Sequence, residues 1–537
     1  MLTRRTFHQL SLATASMPFA AHAASSEASH DICIYGATAS GIMAAVTASQ
    51  RGHRVVIVEP TGHIGGMTGG GLDAIDWGIE SSVGGSTRSI LKQELNDQGY
   101  RDLFQQMLRK HRVKVIHQHR LARVHKRDNV IEAIELDYAP VDPTGCPVAE
   151  PTEKSAIIVT ARLFIDCTYE GDLMAQAGVS CTWGRESRNT YDESLAGVRP
   201  NLWVYDIDAW NTPGDPSSGL LPLIQGVAPQ PIGSADKLTM GYCFRYKFTY
   251  DENGWPLNTP EDYNPNDYEM FRRGFTQGIN FRMNRKMKEL GKVEEYRSRP
   301  FQMRTGNLSR SLLTTTIFGC NADYPNGDWA DRSRIWKFHQ TYLCGLLEFL
   351  RTDPSVPDEF KPIAQKLRLR RLAFDDTQGW PHQLYVREAR RMISDYTITQ
   401  HDLAGQTSPN DSIGLASYGV DDWPYATYEF EGKVALSGGE FSTLRLGGPH
   451  NGVYRIPYRS IRPRQEECSN LLVPVCVSAS HIAMTSIRME PVWMILGESA
   501  GVAASLALRD DSPVQAVKVP ELQQELLKLN QRLDPVV

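Results

Sequence analysis

ICIYGATASGIMAAV, residues Ile32 to Val46, passes from a short apolar run through a glycine turn into an apolar segment with helical spacing, and RVVIVEP (Arg54–Pro60) follows after Gly52. The two apolar runs read as strands flanking a helix that ends at Gly52, a βαβ unit. In such a unit the turn after the first strand offers backbone N–H groups and a helix N-terminus to a pyrophosphate, and glycine is required where a Cβ would collide. Gly36 suits the tight turn and Gly41 the close packing of helix on strand. Thr38, followed by Ala39 and Ser40, stands where the G-x-G-x-x-G pattern has its middle glycine. On this stretch alone a dinucleotide site and a plain βα turn both remain open.

Two neighbouring features favour the ligand. Glu59, followed by Pro60, ends the second strand 18 residues after Gly41, close to the spacing of an acid that accepts ribose hydroxyls. An acid there fits an unmodified ribose better than a 2′-phosphate, which argues against NADP. GHIGGMTGGGL (Gly62–Leu72) then supplies a second glycine-rich loop, with His63, Gly65, Gly66, Met67, Thr68 and Gly69 as candidate contacts. A nicotinamide enzyme has no need of this second loop. It suits a flavin, whose pyrophosphate, ribityl chain and ring system are all wrapped by backbone. Val115, Asp166 and the small-residue segment GESAG, with Gly497, Ala500 and Gly501, complete the expected FAD-binding set; glycine and alanine on that helix permit close approach.

At these residues the chain resembles the FAD-dependent oxidoreductases, a family of exported flavoproteins some of which carry the label xanthan lyase. The resemblance rests on YGATASGIMAAV, GHIGGMTGGGL, FIDCTYEGDLMAQAGV with WGRES, LYVREARRMISDY, and YRIPYRS leading to LLVPVCVSASHIAMTSIRMEPVWMILGESAGVAA. It implies an α/β fold, a Rossmann-like FAD-binding domain with an inserted mixed α+β substrate domain. Where the family has Asp-Ser-His after a SYGV-like strand, this chain has Asp421, Asp422 and Trp423, so no role for that histidine carries over. A more distant likeness is to the succinate dehydrogenase and fumarate reductase flavoproteins, whose loop histidine binds flavin covalently. His63, seven residues before Gly70, occupies the matching place and implies a covalent FAD; the alternative is a histidine packed on the flavin edge.

The expected order is a signal peptide over 1–23, the FAD domain over 30–190, the inserted domain over 191–430, a return to the FAD domain over 431–510, and a tail over 511–537. Residues 185–430 lose the βαβ rhythm and gain aromatics, with helices expected near 265–291, 332–351 and 383–400. Asp128-Asn129 reads as a hairpin turn. TRRTFHQLSLATASMPFAAHA (Thr3–Ala23) has the paired arginines, short apolar run and small-residue site of a twin-arginine export signal, so a periplasmic or secreted protein is expected. No later run reaches the length of a membrane helix, and a net charge of -5 without a basic stripe speaks against nucleic acid. The nine cysteines show no C-x-x-C and no metal-ligand spacing; Cys468 with Cys476 is the one disulfide considered, buried free thiols the other reading.

Flavin carries out the electron transfer, which leaves substrate positioning and proton movement to side chains. His481 is the first candidate for acid/base work, because histidine titrates near neutrality; a structural role is the alternative. Arg488 and Glu490 read either as a salt bridge or as substrate contacts. Arg387 and Arg391, four apart on an expected helix, suit an anionic substrate or an ion-paired surface. Asp172 reads as a helix cap, and Trp203, Trp210, Trp255, Trp329 and Trp380 as sugar-stacking or core residues. The expected function is hydride transfer between a polar small molecule (a sugar, sugar acid or hydroxy acid) and flavin, with a separate, unidentified electron acceptor or donor. The competing class is a polysaccharide lyase or hydrolase in which flavin has no redox part.

Overall fold

The computed structural model describes residues 25–26 and 29–535 apart from 73, 229, 280–310 and 359. The export-signal reading, and the end of the helix expected over 265–291, lie outside these residues.

The opening stretch forms β1 (His30–Tyr35) and α1 (Ala39–Gln50), followed by β2 (Val55–Glu59) and a single helical turn α2 (Gly66–Gly70). α3 (Asp97–Lys110) is amphipathic, with Tyr100, Phe104 and Leu108 turned inward, and leads to β3 (Lys114–His117). β4 (His119–Arg127) and β5 (Val130–Tyr138) make a hairpin through Asp128, whose φ of 52° is the left-handed turn conformation, and β6 (Glu153–Asp166) completes the meander. β6 is long enough to join two kinds of sheet. Its first half pairs antiparallel with β5, and its second half pairs parallel with β1, which in turn pairs parallel with β2 and β2 with β3. The strand order is β3-β2-β1-β6-β5-β4. β1 and β2 are almost wholly apolar and buried, as strands covered on both faces must be.

The middle of the chain supplies β7 (Asn201–Asp208), the helix α4 (Trp329–Thr352) capped by Asp328, and the hairpin β8 (Pro424–Phe430) and β9 (Lys433–Gly438). β8, β9 and β7 form one antiparallel sheet, so the hairpin across residues 430 and 431 pairs as a unit with the inserted segment. The expected helix over 383–400 is absent. The segment is irregular apart from the two-residue strand Arg391–Met392, single bridges at Tyr385 and Ile398 and the first residue of a short helix at Gln400, and its amides bond to distant carbonyls: Tyr385 to Cys243, Met392 to Cys476, Ile393 to Ser180. Tertiary hydrogen bonding overrides the local helical pattern.

The chain rejoins the large sheet at β10 (Leu471–Leu472), parallel to β6, then forms α5 (His481–Ile487) and α6 (Glu490–Arg509). Among the described residues α6 is the one helix long and apolar enough to cross a membrane, a length the sequence reading did not grant any segment. Glu490 to Leu508 are all buried in protein, as in a core helix. It packs on α1 in backbone contact: a Cβ on Gly497 would stand 2.1 Å from the Ser40 carbonyl oxygen, and one on Gly501 2.6 Å from that of Ala44. All nine cysteines are free thiols, Cys468 and Cys476 included.

Candidate cofactor and active site

The β1–α1 turn holds together through its own polar atoms. Gly36 has φ of 98°, open only to glycine at low cost, and a Cβ on Gly41 would lie 2.0 Å from the Gly36 carbonyl oxygen. Thr38 is the N-cap of α1. Its Oγ1 accepts from the Gly41 amide (3.3 Å) and donates to the Cys167 carbonyl (2.8 Å), so the departure from the glycine pattern ties the turn to the residue that follows β6. The second glycine loop lies directly against the first: the Gly65 amide donates to the Ala37 carbonyl at 2.7 Å, and Gly65 and Gly66 both take positive φ. Glu59 links the two loops, Oε2 accepting from the Ala37 amide (2.7 Å) and Oε1 from the amide and hydroxyl of Thr61 (2.8 and 2.7 Å). Burial pushes its carboxyl up to about 7.

This arrangement fits a dinucleotide. The Ser40 hydroxyl, in the first turn of α1, is buried against Gly497 of α6 and the Cys167 thiol, and the helix end itself, with its unpaired N–H groups and dipole, attracts an anion. Glu59 spends three of about four carboxylate lone pairs on protein donors and keeps capacity for a hydroxyl. Beside it, a cleft of about 490 Å³ is lined by His63, Arg101, Val115 and His117. Pro60 is half-buried next to it. Met67 and Thr68 are buried in α2, and Gly69 gives its carbonyl to Arg101. Asp166 and the α6 residues serve the frame. Asp166 is wholly buried, accepts from the Thr168 and Met174 amides and is raised by burial to about 6, while Gly497 and Gly501 meet α1 and Ala500 is buried between them in sequence.

His63 stacks flat on His382, centroids 3.5 Å apart at 9°, and Asp376 serves both: 2.9 Å from His382 Nε2 and 3.5 Å from His63 Nδ1. Burial, then the neighbouring His382, lowers His63 to about 3, so its ring is neutral. This His/Asp/His group is invisible to sequence spacing, since His63 lies over 300 residues before Asp376 and His382. Its ligand atoms lie within 4.8 Å of one another, yet parallel rings direct their lone pairs along separate planes, a poor geometry for one shared ion.

Arg488 and Glu490 do not pair with each other. Arg488 donates to the Tyr385 hydroxyl (2.9 Å) and to Asp421 (3.0 Å), whereas Glu490 accepts from Thr68 Oγ1 (2.6 Å) and the Tyr169 hydroxyl (2.8 Å). Tyr169 in turn accepts from the Met67 amide at 2.8 Å, so Glu490 braces α2 from below. Asp172 is not a cap either; Gly171 holds that position, and Asp172 lies between Arg332 and Arg390. Arg391 turns to Glu186 and Glu388, away from Arg387. His481 begins α5, fully buried, with neither ring nitrogen hydrogen-bonded and Tyr425 edge-on at 6.0 Å. Burial, then Arg391 and Arg185, hold its pKa well below the usual range.

A second cleft, about 1110 Å³, opens among Asp76, Arg245, Tyr385, Arg387, Tyr418 and Trp423, with Trp203 also in its lining. Of the five tryptophans proposed for sugar stacking only Trp203 lines it; Trp380 is buried against Phe244 and Tyr246, and Trp255 bonds to Asp375. Arg245, Tyr385 and Tyr418 went unnoticed in the sequence because no local spacing joins them.

Residues 31–526 match the protein family described as FAD dependent oxidoreductase. No curated protein matches the chain. Among solved structures it resembles T. acidophilum thioredoxin reductase (18% identity, 26% of this chain and 35% of that one, TM-score 0.18). It also resembles OxyS anhydrotetracycline hydroxylase from Streptomyces rimosus (10%, 32% and 41%, 0.23) and L-proline dehydrogenase from P. horikoshii (14%, 31% and 26%, 0.18). Each match takes in less than half of either chain.

Proposed function

The chain belongs to the FAD dependent oxidoreductase family, and from that premise we propose an exported enzyme that oxidises or reduces a polar small molecule (a sugar, sugar acid or hydroxy acid) by hydride transfer. The observation that carries this reading is the junction of two glycine-rich loops through Glu59, beside the N-terminus of α1. Bound FAD supplies the partner for a hydride, the two electrons and one proton exchanged with a substrate carbon. In the oxidising direction the substrate hydroxyl also loses a proton as its carbon becomes a carbonyl. His481 is not assigned that proton: its imidazole is fully buried at the start of α5, lines neither cleft, and is disfavoured from taking a proton by burial and the neighbouring arginines. Arg387 positions the substrate in the larger cleft, and Arg488, buried behind it, holds Tyr385 and Asp421 of the lining in place. Electrons then pass to or from a separate carrier.

FAD is read as non-covalently held, since His63 is already engaged by His382 and Asp376. The purified protein is expected to be yellow, to bleach under anaerobic conditions with its substrate, and on acid precipitation to release all its colour to the supernatant. A colourless protein that never takes up FAD would refute the enzyme reading; a yellow pellet lost on His63→Ala would establish a covalent link instead. Export by the twin-arginine route is part of the same proposal. Changing Arg4 and Arg5 together to lysine should leave folded, FAD-loaded protein in the cytoplasm, and unchanged export of that variant would rule the route out.

A further inference from the structure

The larger cleft carries more buried positive charge than its own acids neutralise. Arg387 is 2% exposed. It lies between two aromatic rings, 4.4 Å from the centroid of Tyr385 and 4.0 Å from that of Trp423, and donates only to the Gly241 carbonyl (2.8 Å) and the Cys243 sulfur (3.4 Å). Among the described residues no carboxylate pairs with it. Arg245 approaches the same Tyr385 ring at 6.0 Å, its Nε buried and without a partner. Arg488, on a third side of that ring, is matched by Asp421, and Glu440 at the rim by Arg199. That leaves Asp76, whose carboxyl burial raises, against Arg245, Arg387 and the rim residue Arg445. Burial and the neighbouring arginines lower Arg387.

A buried guanidinium without a counterion is costly, and the aromatic sandwich holds its planar fork in one orientation, the geometry that grips a carboxylate through two parallel hydrogen bonds. Trp203, Tyr418 and Trp423 line the same cleft and give whatever extends from that anion an aromatic wall. We propose that this cleft takes a sugar acid, its carboxylate held by Arg387 and Arg245 and its polyhydroxylated carbon chain or ring lying along the aromatic wall. The proposal rests on the reading of the protein as an oxidoreductase of a polar small molecule, and narrows it to carboxylated substrates.

D-glucuronate and D-glucose differ at one carbon and make a matched pair of probes. Titrated into the FAD-loaded enzyme by calorimetry, glucuronate is expected to bind at least about tenfold more tightly than glucose. Arg245→Gln, at the half-buried edge of the cleft, should erase most of that ratio while FAD content and melting temperature stay at the wild-type level, and Arg245→Lys should restore part of it. Arg387→Gln should do the same where it folds. Equal affinity for the two sugars, no binding of glucuronate or D-gluconate, or a preference that survives in Arg245→Gln would overturn the assignment. The two readings fail separately. Flavin bleached by neutral sugars alone sinks the sugar acid and leaves the oxidoreductase; an arginine-dependent preference without bleaching by any sugar acid leaves the anion site and sinks the redox reading.

Discussion

Valine at position 41 is expected to give a protein that purifies without FAD and melts well below the wild type. A Cβ on Gly41 would stand 2.0 Å from the Gly36 carbonyl oxygen and 3.3 Å from Cys167 Cβ. The first of these neighbours is backbone in a turn already held by Thr38, Glu59 and Gly65, so no side-chain rotation relieves the clash. Relief requires α1 to move off β1. That displaces its first turn, Ser40 included, from Glu59 and opens the contact with α6, where Gly497 and Gly501 allow backbone-to-backbone packing. Overpacking of this sort costs about 3 kcal/mol, at the upper end because rigid backbone must yield. Gly226→Ala is a suitable control, since nothing lies within 4 Å of its Cβ position and its φ is not in the left-handed range. The ratio of flavin to protein absorbance and the melting curve report the two effects. Full FAD occupancy with unchanged melting in the valine variant would remove the β1–α1 turn from the cofactor site.

The frame around Gly41 was legible because its signals are local. Strand, turn and helix follow one another within 15 residues, and Glu59 and the second glycine loop come directly after. The errors at the site concern side chains that answer to distant partners, as the backbone amides of 385–393 do in place of the expected helix. Arg488 and Glu490 are near neighbours in sequence, but Arg488 closes α5, Met489 is extended (φ -88°, ψ 135°) and Glu490 opens α6, so the two point to separate networks. Arg387 to Arg391 matched a helical charge pattern that a solvent-facing helix would satisfy; here the whole segment is buried, and its charges find Asp172, Glu186 and the aromatic walls of the cleft instead. Thr38 shows the reverse case. As a departure from the glycine pattern it counted against a ligand, and only the carbonyl of Cys167, brought over by the strand pairing of β1 with β6, reveals that its hydroxyl braces the turn.

Glu490→Gln is expected to stabilise the protein at high pH and to lose that advantage in acid. In the folded protein burial raises the Glu490 carboxyl from 4.5 to about 7, against the smaller lowering by its bonds from Thr68 and Tyr169. In the unfolded chain it ionises near its ordinary value. Below pH 4.5 both states are protonated and the carboxyl carries no ionisation penalty. Between 4.5 and 7 the unfolded state releases the proton while the folded state keeps it, so folding stability contributed by this group falls as pH rises, and above 7 the loss is complete at about 3 kcal/mol. Glutamine cannot ionise and escapes this loss. It can still accept from one hydroxyl, while its NH₂ group requires the other to turn and accept, a change with no pH dependence of its own. Other buried acids, among them Glu59 and Glu388, titrate alike in both proteins and cancel in the comparison. Melting temperatures of variant and wild type, both loaded with FAD, should therefore draw apart from pH 4.5 to 7.5, the variant gaining throughout. A constant gap over that range would mean that Glu490 is already ionised in the folded protein, and that α2 rests on a carboxylate rather than on a carboxylic acid.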